Sequence, residues 1–392
     1  MNSHEQSTTS RLHVIDALRG FAIVSIMLLH NIEHFDVYFT APGLSDWMYT
    51  LDGYIWDTLF FLFGGKSYAM FALLFGLTFF IQSNNQAKRG KNFNPIFAWR
   101  LVLLFGFGLV NSAFFQGDIL TIYAALGFLL IPASYLGNRM ILTLAIFLFL
   151  QPMEWLNLSQ IVQNPSAAIA DPVSWTYFGK MSEYISGDSM VATWIGNLTN
   201  GKKAVLLWNW ENGRFFHIAS LFLFGMVLGR KGLFEWNEKN NTFWNRTLVV
   251  SLTIFIPLYL VKNNLDELIM NDAIRRSFGT IETSWSNLSF MVVLVSGFVL
   301  LFHSKTGQKI LSLFSPIGKM SLSNYVFQSI IGSSLYYGYG LGWYQYTGAT
   351  YGLLIGTLLS ILMGYGCTWW CKRYKHGPLE GIWHKLTWIW SH

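Results

Sequence analysis

The chain has 392 residues, of which 53% are hydrophobic, 17% aromatic and only 12% charged. Soluble domains carry about 25% charged residues, so a chain that faces water over most of its surface is excluded. The net charge of +6 lies mostly in short loops between apolar runs, where it suits the anionic inner face of a membrane and is no sign of nucleic acid.

A helix crosses the hydrocarbon with about 20 largely apolar residues. Ten runs qualify, at roughly 14–35, 58–83, 96–115, 119–136, 139–156, 214–230, 246–262, 285–303, 318–338 and 348–371. The expected class is all-α: one polytopic membrane domain over 1–392. Basic residues follow every even-numbered span: Lys88, Arg89 and Lys91; Arg139; Arg230, Lys231, Lys239 and Arg246; Lys305 and Lys309; Lys372, Arg373 and Lys375. Positive loops stay inside, so both termini are expected in the cytoplasm, with 1–13 a cytoplasmic segment and 372–392 a cytoplasmic tail. The first run has no small-residue cleavage site and reads as a retained helix. Cys367 and Cys371 lack redox-pair spacing and read as reduced packing residues. Residues 157–213 form a long outer loop whose Trp175, Tyr177, Tyr184, Trp194, Trp208 and Trp210 suit the membrane interface.

Span one carries Asp16, Arg19, His30, Asn31, Glu33 and His34. Ionisable groups at that depth are costly and face a protein interior or a wet cavity. Eleven residues separate Arg19 from His30, which puts them within about 20° of one helical face and about 16 Å apart along the axis. An arginine at the inner end can hold phosphates, and a histidine further out can take a proton from an acceptor hydroxyl. The plainer reading has Arg19 snorkel while pairing with Asp16, and His30 satisfy a backbone or side-chain partner. HNIEH (30–34) also fits the inverted zinc-peptidase pattern H-x-x-E-H. A third ligand has no marker, and no metal is expected. Glu33, His34 and Asp36 read more simply as a polar helix end.

Further along, Asp118 in FQGDILTIYAALG sits in a short outer turn. It either caps the helix that follows or orients His30. Lys66 in FGGKSYAMFALLFG lacks the first glycine of a phosphate loop. It snorkels outward or meets a substrate carboxylate or phosphate. His217, Asn324 and Gln328 are intramembrane polar groups whose default role is hydrogen bonding between helices.

The segments RLHVIDALRGFAIVSIMLLHNI, GKSYAMFALLFG, GDILTIYAALG, GKMSLSNYVFQSII and HGPLEGIW occur in order over nearly the whole chain. Together they resemble the YeiB-type family, a domain of unknown function (418). In its first helix that family is similar to the transmembrane acyltransferase superfamily, which includes type-3 acyltransferases and heparan-glucosaminide acetyltransferase. The resemblance implies an Arg-x10-His pattern used in acyl transfer, matched here by Arg19 and His30. Many YeiB-type members have Asn where this chain has His30. Relatives often carry a histidine ahead of GDIL, near Asn111 here.

The leading expectation is a bacterial inner-membrane acyltransferase. It would take an acyl group, such as acetyl, from cytoplasmic acyl-CoA as co-substrate and pass it to a glycan or lipid-linked acceptor outside. Arg19 holds a CoA phosphate in that reading, His30 is the base, and Asp118 or Glu33 tunes it. Competing readings are a permease for a small or lipid-linked solute, a non-catalytic membrane partner, and the zinc peptidase. Membrane lipids surround the chain in each of them.

Overall fold

Long apolar runs with few β-breaking polar residues fold as helices, because only intra-segment hydrogen bonds satisfy the backbone in hydrocarbon. The computed structural model describes residues 3–164 and 171–389, with side chains from His13 onward. Residues 1–2 of the expected segment 1–13, residues 165–170 of the outer loop and the last three residues of the tail lie outside the described residues. Among those described there are helices, turns and no strand.

The helices are α1 (Ser3–Ile32), α2 (Asp46–Phe63), α3 (Ser67–Ala87), α4 (Asn94–Phe114), α5 (Leu120–Gly127), α6 (Leu130–Ala133), α7 (Asn138–Phe149) and α8 (Pro152–Gln163). A cluster of short elements follows: α9 (Val173–Gly179), α10 (Ser182–Ile185), α11 (Met190–Gly196), a π-helical turn (Asn197–Gly201) and α12 (Lys202–Glu211). The second half holds α13 (Arg214–Arg230), α14 (Glu238–Asn263), α15 (Leu265–Leu268), α16 (Asp272–Phe302), α17 (Lys305–Leu311), α18 (Ser315–Lys319), α19 (Ser321–Tyr336), α20 (Ala349–Cys371) and α21 (Pro378–Thr387).

Among the described residues seven stretches are long and apolar enough to cross a membrane, or eight if the 73° bent pair Met190–Glu211 and Arg214–Arg230 is one span. Ten were expected, and the difference has local causes. The run at 119–136 breaks at Phe128–Leu129, four residues before Pro132, whose ring and missing N–H disrupt the Phe128 carbonyl. The run at 318–338 holds α19, 16 residues long, which rises only about 24 Å. The run at 58–83 is counted, within Asp46–Ala87, but it is not one helix. Gly65, at φ +73°, interrupts it, and a separate helix begins back at Asp46.

α13 packs against α3 and α7, and α1 lies between α3, α18 and α20. Small residues permit the α3–α13 approach: a Cβ at Gly76 would land on the Phe222 carbonyl, and one at Gly225 on the Leu73 carbonyl. α13 is consequently buried along most of its length, among protein and not lipid. The expected outer loop is helical from Val173 onward, and α12 packs on α9 across the end of the bundle where α1 stops.

Candidate functional site

α1 ends in an unusual way. His34, Phe35 and Asp36 all adopt left-handed conformations, with φ of 49°, 54° and 71°. Each such residue costs of order 1 kcal/mol or more and persists only where its surroundings impose it. Here they do. His34 Nε2 and Thr347 Oγ1 are 3.0 Å apart, with the imidazole against the Tyr336 ring. The Phe35 carbonyl accepts the Tyr337 hydroxyl at 2.8 Å, and the Phe35 ring packs edge-on against Phe115. The turn sends His34 away from His30 and brings Asp36 back beside Glu33 and His30. HNIEH is therefore not one unit, since its two imidazoles line different cavities.

A cavity of 440 Å³ opens at this end, lined by His30, Glu33, Asp36 and Asp118 among others. His30 Nδ1 faces Glu33 Oε2 at 3.4 Å, and Glu33 Oε1 accepts the Tyr38 hydroxyl at 3.2 Å. The imidazole lies 4.6 Å from the Phe115 ring. Among the described residues Nε2 has no hydrogen bond, so it is free for a ligand. Burial, reinforced by Glu33, pushes the Asp36 carboxyl up to about 7. Burial also lowers His34 to about 4.

Asp118 lines the same cavity but does not bond His30; Glu33 does. Its carboxylate is fully buried and engaged. Oδ1 accepts from Asn111 at 3.0 Å, and Oδ2 accepts the Thr121 N–H and hydroxyl, both at 3.0 Å. The capping role is thus present. A cation missed in the sequence joins it: Lys202 Nζ reaches Asp118 Oδ2 at 3.4 Å, Ser112 Oγ at 3.1 Å and the Thr121 hydroxyl. Lys202 begins α12, directly after the π-helical turn. π-Turns insert an extra residue and often mark functional segments. This one anchors the end cluster through Asn197, which donates to the Ala113 carbonyl at 2.9 Å.

The far wall comes from that cluster, through Trp175, Phe178, Trp208 and Asn209. Arg214 stacks 4.4 Å from the Tyr68 ring and 4.1 Å from Trp208. Tyr68 Oη lies 3.0 Å from His217 Nδ1, which puts His217 one side chain behind the wall. Lys66 turns elsewhere, donating to the Phe60 carbonyl at 3.3 Å with its ammonium 5.9 Å from the Phe290 ring. Asn324 donates to the Ile317 carbonyl at 3.0 Å and contacts Cys367 Sγ at 3.2 Å, a helix-to-helix link. Gln328 is buried, and among the described residues neither of its amide atoms has a hydrogen-bond partner.

Arg19 lines a second cavity, of 360 Å³. Its guanidinium donates to Asp16 Oδ1 at 3.0 Å and to Thr78 Oγ1 at 2.9 Å. The sequence reading missed its companions in this wall: Arg100, Lys319, His376 and His384. Arg100 stacks 4.2 Å from the Trp383 ring, and the two imidazoles stack at 4.8 Å. HGPLEGIW builds this wall. Glu380 accepts the Leu322 and Ser323 amides at 2.8 and 3.1 Å, capping α19 and fixing α21 against it. Such a concentration of donors suits a phosphate-bearing ligand. Tyr325 lines both cavities, and its hydroxyl accepts the Ile119 amide at 3.3 Å.

Comparison with known proteins gives relatives along the whole chain. Residues 228–390 match the family described as "Protein of unknown function (DUF418)", a stretch that holds Tyr325, His376 and Glu380 but neither Arg19 nor His30. The chain is 26% identical to the uncharacterized protein YxaH of Bacillus subtilis (strain 168), over 97% of this chain and 95% of that one. It is 22% identical to an uncharacterized 39.9 kDa protein in the amylase 3′ region of Bacillus acidopullulyticus, over 96% and 94%. The uncharacterized protein YeiB of Escherichia coli (strain K12) is 23% identical over 95% of both chains. No solved structure matches significantly. The chain is a membrane-type helical protein that is similar over nearly its whole length to YeiB-type proteins and matches the DUF418 family model over residues 228–390.

Proposed function

We propose that this chain transfers an acyl group from cytoplasmic acyl-CoA to an acceptor on the other side of the membrane. The observation that supports it is the pair of cavities along α1, one basic around Arg19 and one around His30 and Glu33, separated by Tyr325. The basic loops put the Arg19 end in the cytoplasm together with both termini. With the bent pair taken as one span, α5–α6 and α19 then act as short crossings sheathed by protein, and eight becomes ten. Arg19, with Arg100 and Lys319, holds CoA phosphates, and the thioester arm extends about 16 Å along α1 toward His30. His30 Nε2 removes the proton from an acceptor hydroxyl or amine. The acceptor atom bonds to the thioester carbonyl carbon, the C–S bond breaks, and the CoA thiolate regains a proton from the imidazolium. Glu33 faces Nδ1 and steadies that imidazolium. The acceptor is a glycan or a lipid-linked molecule that enters between Trp175 and Trp208.

His30→Ala should lower transfer of label from radiolabelled acetyl-CoA in membranes by about 10²–10⁴-fold while insertion and thermal stability stay near wild type. Full transfer by that variant refutes the mechanism. Two cavities in line also describe a solute path through a permease. Counterflow in proteoliposomes that lack acyl-CoA would favour that reading instead.

A further inference from the structure

A third cavity lies away from α1, on the outside of the helical bundle. It is a groove of 860 Å³ between α14 and α16, closed at one side by Phe149 of α7. Its floor is apolar: Val250, Ile254 and Leu258 face Leu288 and Val292. The two serines in the lining do not alter this. Ser251 Oγ donates to the Leu248 carbonyl at 3.1 Å and Ser289 Oγ to the Trp285 carbonyl at 2.9 Å, so each satisfies its hydroxyl on its own helix.

One end of the groove is different. Lys239 and Arg246, two helical turns apart on α14, line it together with Thr242. Both are exposed, and among the described residues neither has a carboxylate within ion-pair distance. Arg230, the basic residue that ends α13, is committed elsewhere, donating to the Leu136 and Ser134 carbonyls at 2.6 and 2.8 Å. From Arg246 to Leu258 the apolar floor runs twelve residues, about 18 Å, close to one leaflet of a hydrocarbon core about 30 Å thick. An apolar channel one leaflet deep, headed by two unpaired cations, is complementary to an acyl chain that ends in an anionic phosphate. Basic pockets between membrane helices select anionic lipid head groups on this electrostatic ground.

We propose that this groove is a binding site for an anionic phospholipid, with an acyl chain between α14 and α16 and its phosphate held by Lys239 and Arg246. The site is independent of acyl transfer, since none of its residues lines either cavity on α1.

The test uses the full-length protein in detergent, titrated with dioleoyl phosphatidylglycerol or dioleoyl phosphatidylcholine and read by native mass spectrometry. Phosphatidylglycerol should bind more tightly. The double variant Lys239→Gln/Arg246→Gln should lower its affinity by about 30-fold, the loss of two near-surface charges, to the level of phosphatidylcholine. Ile254→Trp, at a lipid-facing position that tolerates bulk, should weaken both lipids by filling the channel. Equal affinity for the two lipids in wild type would overturn the proposal, as would wild-type phosphatidylglycerol binding by either variant. Glycerophosphoglycerol without acyl chains, if it competed as well as the intact lipid, would reduce the site to an anion contact and overturn it too.

Discussion

The hydroxyl of Tyr325 accepts the backbone N–H of Ile119 at 3.3 Å, so one phenol ring of α19, tied to the turn before α5, stands between the cavity of Arg19 and the cavity of His30. If an acyl arm passes this point, the size of the side chain at 325 sets its passage. Tyr325→Trp should lower acyl transfer at least tenfold, about 1.4 kcal/mol in the barrier, while acyl-CoA still binds at the Arg19 side. Parallel binding and transfer assays check this. Loss of both in step would mean that the ring supports the inner cavity and does not divide the two.

Lys202 and Asp118 form a pair with the carboxylate fully buried and the ammonium nearly so. Removing one member of such a pair strands the other and costs about 3–5 kcal/mol. Lys202→Met should therefore destabilise strongly, and adding Asp118→Asn should recover much of the loss because the stranded charge is gone. A double-mutant cycle by thermal unfolding in detergent measures the coupling. Additive effects would show that the 3.4 Å contact carries no energy.

Asp36 and His34 make opposite contributions to the pH dependence of stability. The Asp36 carboxyl is raised from 3.8 to about 7 by burial and by Glu33, with His30 acting against them. Stability from its protonated form is full below the ordinary carboxylate range and is lost as pH rises through about 7. His34 is lowered from 6.5 to about 4 by burial. Its contribution is present above 6.5 and is lost as pH falls toward 4. Asp36→Asn removes the first effect alone. Its melting temperature relative to wild type should rise between about pH 4 and about pH 7 and level off above that. A constant difference across that range would contradict the shift.

The polar residues of span one were legible because charge inside an apolar run stands out against a low background. His30, Glu33 and Asp118 do line one cavity. What the sequence hid was mostly contributed from a distance. Lys202 lay in a segment read as loop, and nothing local marks the π-helical turn that aims it at Asp118. Tyr325 is one of many aromatics in a chain that is 17% aromatic, and only the fold shows what it divides. His376 and His384 sat in a tail whose basic residues orientation already explained. The span count differed where a run breaks ahead of Pro132 and where α19 is only 16 residues long. The Gly64–Gly65 interruption likewise changes where a helix ends, whereas hydropathy registers only that the run is apolar.

Binding of acetyl-CoA to the purified protein, compared between wild type, Arg19→Ala and His30→Ala, tests the acyl-transfer proposal most directly. Arg19 shares its cavity with Arg100 and Lys319, and a charge-assisted contact contributes about 1.5–3 kcal/mol. Wild type should bind, Arg19→Ala should bind at least tenfold more weakly, and His30→Ala should bind as wild type does. Absence of binding in wild type, or equal binding by Arg19→Ala, would contradict acyl-CoA recognition in the Arg19 cavity and the reaction built on it.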